Sequence, residues 1–209
     1  MGKLSNERFR FSMAFSFALL VVLYTGCRED KLPIIGYQEI VDGKPTFAKI
    51  PEFSYQNQDG QTIRSVDLKG KIHIANFFFT SCPTICPKTV RSMVEIAKYF
   101  GNDPRIQYIN FSIDYRRDSV PRLKAYYDRL GVDLPNFHLL RIPDREELRR
   151  VPQKYLSIAT ENPEAAGGFD HSGWLLLVDQ ELHLRAFCLG TDEKAVKKFI
   201  QDVRRLLDE

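Results

Sequence analysis

The stretch Lys71-Ile72-His73-Ile74-Ala75-Asn76-Phe77-Phe78-Phe79-Thr80 constrains this chain more than any other. It is mostly apolar, rich in β-branched and aromatic residues, and lacks the alternation of a strand that keeps one face in water. It therefore predicts a central strand buried on both faces. Directly after it come Ser81-Cys82-Pro83-Thr84-Ile85-Cys86-Pro87, and then Val90, Met93, Val94 and Ala97 recur at helical spacing up to Phe100-Gly101. Proline is tolerated in a first helical turn but not deeper, so Pro83 and Pro87 place the helix start here. Two cysteines thus sit at a strand-to-helix junction. Four residues apart, they would share a helical face and aim both sulfurs at one point. Unsatisfied N–H groups and the positive end of the helix dipole would lower their pKa and favour thiolate, the form that attacks disulfides and binds metals.

Strand and helix signals go on alternating downstream. Residues 106–113 repeat the buried-strand pattern, Val120, Leu123, Tyr127 and Leu130 mark a second helix, residues 137–141 suggest a short strand, and Leu148, Val151 and Tyr155 another helix. Gly167-Gly168 interrupts the pattern. Residues 174–178 and 182–187, around Asp179-Gln180-Glu181, predict an antiparallel hairpin, and Val196, Phe199, Ile200, Val203 and Leu207 form one face of a closing helix. Upstream, residues 53–55 and 62–64 flank Asn57-Gln58-Asp59-Gly60, a strand-turn-strand signal. The expected architecture is α/β, a central mixed β-sheet flanked by helices with an N-terminal β-hairpin extension, in one domain over residues 50–209.

Three chemistries fit the cysteine pair. A structural disulfide would gain little from closing so short a loop. A redox dithiol usually has two intervening residues, where this chain has three. A metal clamp needs a further ligand, and two thiolates with an imidazole suit copper, particularly Cu(I), whereas structural zinc would take four ligands. The candidate third ligand is His171, in Gly168-Phe169-Asp170-His171-Ser172 just before a strand, with Asp170 or Asp114 able to orient the imidazole or balance the charge. A lone histidine is more often structural than ligating. His73, His138 and His183 lie in strand patterns and read as structural, and Cys188 as a small buried hydrophobe.

The amino terminus bears on the compartment. A short basic stretch precedes an apolar run over residues 11–24, about 14 residues where a membrane-spanning helix needs roughly 20, and the run ends at Gly26-Cys27. This has the form of a secretory signal, with a small residue directly before cysteine as in a bacterial lipoprotein cleavage site. The expectation is a signal peptide over 1–26, lipidation of Cys27, a tether over 27–49 and a body facing an extracytoplasmic space. The net charge of +3 fits this division, since Lys3, Arg8 and Arg10 against Glu7 place +2 in the signal and leave +1 elsewhere. A body that close to neutral, with no long Lys/Arg stripe, argues against nucleic-acid binding. A hydrophobic share of 44% excludes a largely disordered chain.

At these motifs the sequence resembles the SCO/SenC family, membrane-anchored thioredoxin-fold proteins that bind copper and assist assembly of the CuA centre of cytochrome c oxidase. The likeness is carried by Pro51-Glu52-Phe53 with Gln58-Asp59-Gly60, by Phe79-Thr80-Ser81-Cys82-Pro83-Thr84-Ile85-Cys86-Pro87, by Ser112-Ile113-Asp114-Tyr115-Arg116-Arg117-Asp118 and by Asp170-His171-Ser172. It implies a thioredoxin-like fold and copper ligation by Cys82, Cys86 and His171, one ion per chain, as Cu(I) and also Cu(II), with Asp114 an acidic neighbour. It implies too that Cys82 and Cys86 cycle between dithiol and disulfide. The implied role is chiefly that of a metallochaperone, with thiol-disulfide reductase activity on a partner as a second capacity. The implied partners are the copper-bearing oxidase subunit, another cuproprotein or a copper donor. Ser81, Thr84, Tyr115 and Arg116 depart from the usual family residues. The competing expectation is a thiol-disulfide oxidoreductase or peroxiredoxin-like redox sensor without metal, although Phe79 stands where a peroxidatic site would have threonine. A third reading makes the pair a permanent staple in a lipoprotein that binds a protein partner.

Overall fold

The computed structural model describes residues 31–209, so the expected signal segment and Cys27 lie outside the described residues. Strand β5 (Ile72–Phe78) runs through the middle of a five-stranded sheet and is buried along its whole length. Its parallel neighbours are β6 (Ile106–Ser112) and beyond it β7 (Phe137–Arg141), reached through helices α1 (Cys86–Phe100) and α2 (Val120–Leu130). On the other side β10 (Trp174–Val178) pairs antiparallel with β5 and with β11 (Leu184–Leu189), which leads to the closing helix α4 (Glu193–Leu207). The sheet is mixed, as expected. Among the described residues no helix is long and apolar enough to cross a membrane.

Side-chain alternation along β5 explains why neither face meets water. Phe77 stacks on Phe111, their centroids 5.1 Å apart, and both rings meet the edge of Tyr155 at the end of α3 (Arg145–Lys154). Phe53 covers Phe111 from the same side. Phe78 points the other way, to Tyr126 of α2. His73 and His138 are structural, as read. Burial holds His73 down to about 3 and His138 down to about 4, and their rings bond Tyr155 and Gln107. Cys188 is buried on β11 and its thiol is pushed up to about 12 by burial.

Two segments differ from expectation. Residues 31–49 are not an aperiodic tether along their described length. Leu32 is buried, the amide of Ile35 bonds the carbonyl of Leu184, and β1 (Gln38–Val41) and β2 (Lys44–Phe47) form a hairpin. Its turn is Asp42-Gly43, both at positive φ, the dipeptide that suits a two-residue hairpin. Ile40 and Val41 stay exposed, so no apolar alternation advertises the strands. The expected hairpin follows as β3 (Ser54–Gln56) and β4 (Thr62–Arg64). The second difference is a small sheet of β8 (Ala159–Glu161) and β9 (Phe169–His171), three residues each, where the sequence shows only an interrupted pattern.

Candidate metal centre

The site forms where the C-terminal end of β5, the first turn of α1 and β9 meet. Asp118, fully buried, holds the exit of β5: its carboxylate accepts from the Thr80 amide (2.9 Å), the Thr80 hydroxyl (2.5 Å) and the Ser112 hydroxyl (2.6 Å), while Arg122 lies 3.5 Å away. Beyond that lock the chain turns through Ser81 to Ile85, and α1 begins at Cys86 with Ile85 as its N-cap and Pro87 in the first turn. The cysteines therefore do not share a helical face. Cys82 belongs to the turn before the helix, and the bend rather than the helical repeat brings its sulfur back to Cys86.

His171 reaches the pair because β9 lies close to that turn. At Gly167, φ is +84° and a Cβ would come 2.6 Å from the ring of Phe79, so only glycine fits. At Gly173 the chain passes the first turn of α1, where a Cβ would lie 3.1 Å from Ile85. Between these two glycines the imidazole stands edge-on to Phe79, centroids 5.6 Å apart. Its Nε2 is 3.2 Å from Sγ of Cys86 and 3.6 Å from Sγ of Cys82. The two sulfurs and one imidazole nitrogen lie within 4.8 Å of one another, and all three cysteines among the described residues are free thiols. Soft thiolates with one imidazole form the donor set that suits Cu(I).

The thiols are unequal. Cys82 is drawn down to about 3, chiefly by the facing Cys86 thiol and then by His171 and the N–H groups of Thr84 and Cys86, against the opposing effect of burial. Cys86, almost fully enclosed, is pushed up by burial and by the facing sulfur. Of the two, Cys82 is the sulfur that favours the thiolate and Cys86 the one that keeps its proton. The Thr84 hydroxyl lies 3.6 Å from Cys82.

Neither carboxylate expected to orient the imidazole touches it. Asp170 is exposed and accepts from Asn162 at 2.7 Å, and Nδ1 of His171 is buried without a hydrogen-bond partner. Asp114 is buried and pairs with Arg117, whose Nη2 donates to the carbonyl of Gly167 at 2.6 Å. It therefore acts on the loop that carries His171, through Arg117. Sequence reasoning assigned no role to Asp118 or to Ser172, whose hydroxyl bonds Ser157 at 2.7 Å beside β9. Asp118 was visible only as part of the resemblance.

A family model described as SCO1/SenC matches residues 41–208. A Bacillus subtilis protein described as an SCO1 homolog is 28% identical over 166 residues, 78% of this chain and 79% of the relative. Among solved structures, a SCO1/SenC family lipoprotein from Bacillus anthracis superposes with a TM-score of 0.70 at 27% identity, covering 77% of this chain and 95% of the other. Yeast Sco1 with copper bound matches with a TM-score of 0.60 at 25% identity, over 75% and 89% of the two chains. The fold is the thioredoxin-like one of these neighbours.

Proposed function

The chain belongs to the SCO1/SenC family, and from that premise we propose that it is a copper chaperone of cuproenzyme assembly, anchored by lipidated Cys27 on the extracytoplasmic side of a bacterial membrane. One observation carries the reading: Cys82, Cys86 and His171, from two distant parts of the chain, present three copper-suited donor atoms within 4.8 Å. Copper is the cargo. The two sulfurs and Nε2 would hold one ion, Cu(I) and in an oxidised form Cu(II), and release it by ligand exchange to a recipient's thiolates. The resemblance to this family, which implies assistance in assembling the CuA centre of cytochrome c oxidase, supports the CuA-bearing subunit as recipient. Titration of the reduced chain with Cu(I) tests this. Stoichiometric binding lost in Cys82→Ser and Cys86→Ser supports it, and no binding overturns it.

The unequal thiols favour a second capacity. The Cys82 thiolate can attack a partner disulfide, releasing one partner thiolate and forming a mixed disulfide. Cys86, after giving up its proton, then displaces the second partner thiolate and closes Cys82–Cys86. Two electrons pass to the partner, and the chain ends oxidised.

A further inference from the structure

The same small sheet that carries His171 forms one wall of an open cleft of about 700 Å³ on the outer side of the Gly167-Gly168 loop. Four arginines line it: Arg116 and Arg117, just before α2, and Arg145 and Arg149, one turn apart on α3. Only two carboxylates oppose them. Asp114 is taken by Arg117, and Glu161 is shared by Arg116 at 2.9 Å and Arg145 at 2.6 Å. Arg149 is exposed and has no ion pair among the described residues. The cleft thus carries an excess of two positive charges. It continues along α3 into a second opening of about 630 Å³ lined by Arg145, Glu146, Arg149, Arg150 and Gln153, in which Arg150 is held by Glu147 at 2.6 Å and Arg145 and Arg149 face the single carboxylate of Glu146.

We propose that this groove binds an acidic peptide segment of a protein partner and so seats the partner beside the cysteine pair. An enclosed pocket would suit a small anion, whereas an open, elongated trough with planar guanidinium groups along its length matches successive carboxylates of an extended chain. The groove wall is in register with the metal centre: Glu161 pairs with Phe169 and Ala159 with His171 across β8 and β9. An acidic occupant competes with Glu161 for Arg116 and Arg145, and its grip weakens with ionic strength. Naming the occupant as a copper-exchange partner rests on the proposed function. The groove itself does not.

The test is calorimetric titration of the metal-free full chain with a hexaglutamate peptide at low salt, in the wild type, in R149E and in K197E, which reverses an exposed charge on α4 far along the sequence. Arg149 holds no other side chain, so R149E leaves the fold in place. Expected is peptide binding weakened on the order of tenfold by R149E, where repulsion replaces attraction, and little changed by K197E. Equal binding in wild type and R149E, or equal loss in both variants, overturns the proposal. Inorganic phosphate binding as tightly as the peptide overturns it in favour of a small-anion site. Binding of phosphatidylglycerol vesicles through Arg149, without peptide binding, overturns it in favour of a membrane contact. Cu(I) titration of R149E is expected to match wild type, and failure of both to bind copper would remove the proposed function while leaving the groove.

Discussion

Nε2 of His171 lies 3.2 Å from Sγ of Cys86, across 85 residues of sequence, and that contact separates a metal-binding site from a simple dithiol. Replacing His171 by alanine removes one of three donors while leaving the turn that pairs the sulfurs untouched. Changes in outer partners of a metal ligand typically cost about 10–100-fold in affinity, so loss of the ligand is expected to cost more. Competition with a chromophoric Cu(I) chelator measures it, with thiol-disulfide exchange on a model disulfide as the second readout, expected to change little. Unaltered copper affinity would take His171 out of the site.

The inequality of the two thiols has a pH signature. An ordinary thiol loses alkylation rate about tenfold per unit as pH falls below its pKa. Cys82 is held down to about 3, so its thiolate persists through the range from pH 8 to pH 5 and its reaction with iodoacetamide is expected to stay nearly flat there. Cys86, pushed up by burial, is expected to stay unmodified. In Cys86→Ala the largest contribution holding Cys82 down disappears, and the rate should then fall with acidification. A steep fall in the wild type would show that the Cys82 thiolate is not stabilised by its neighbours.

What the sequence makes legible here divides along the range of the interactions. Strand β5 and helix α1 announce themselves because their burial is written in consecutive residues, and the cysteine pair because proline marks the helix start. The boundary inside the motif is less visible: α1 begins at Cys86, since Ile85 caps it, and Cys82 falls in the turn. Strands β8 and β9 are three residues long, too short for alternation to register, and β1 turns its apolar residues outward. Asp170 turns away from the site because it sits on β9, a strand the sequence pattern does not show. Adjacent residues in a strand point to opposite faces, so when His171 faces the sulfurs its neighbour faces Asn162.

Asp118 supports the site without touching it. Its buried carboxylate gathers the Thr80 amide and hydroxyl and the Ser112 hydroxyl. Hydrogen bonds to a charged group are worth roughly 1.5–3 kcal/mol each. Asp118→Asn preserves the shape but removes the charge and one acceptor, and it is expected to lower stability by about 2–3 kcal/mol in urea unfolding. An unchanged midpoint would show that the turn before Cys82 holds by other means.

Glu209 ties the two ends of the described chain together. Its carboxylate accepts from the Leu32 amide at 2.6 Å and from Arg185 at 2.5 Å, while Arg185 also bonds Asp179 at 3.0 Å and the carbonyl of Leu32. This clamp fixes the entry of the chain to the edge strand β11, opposite the end of the sheet at β7. In Glu209→Ala, Arg185 keeps Asp179 and so is not left as an unpaired buried charge, which limits the global loss to about 1 kcal/mol. The local effect is larger, because the Leu32 amide loses its acceptor. Trypsin cleavage between Lys31 and Leu32 is therefore expected to accelerate severalfold in the variant while the urea midpoint moves little. Equal cleavage rates would mean that Leu32 is held by its own burial and by Arg185 alone.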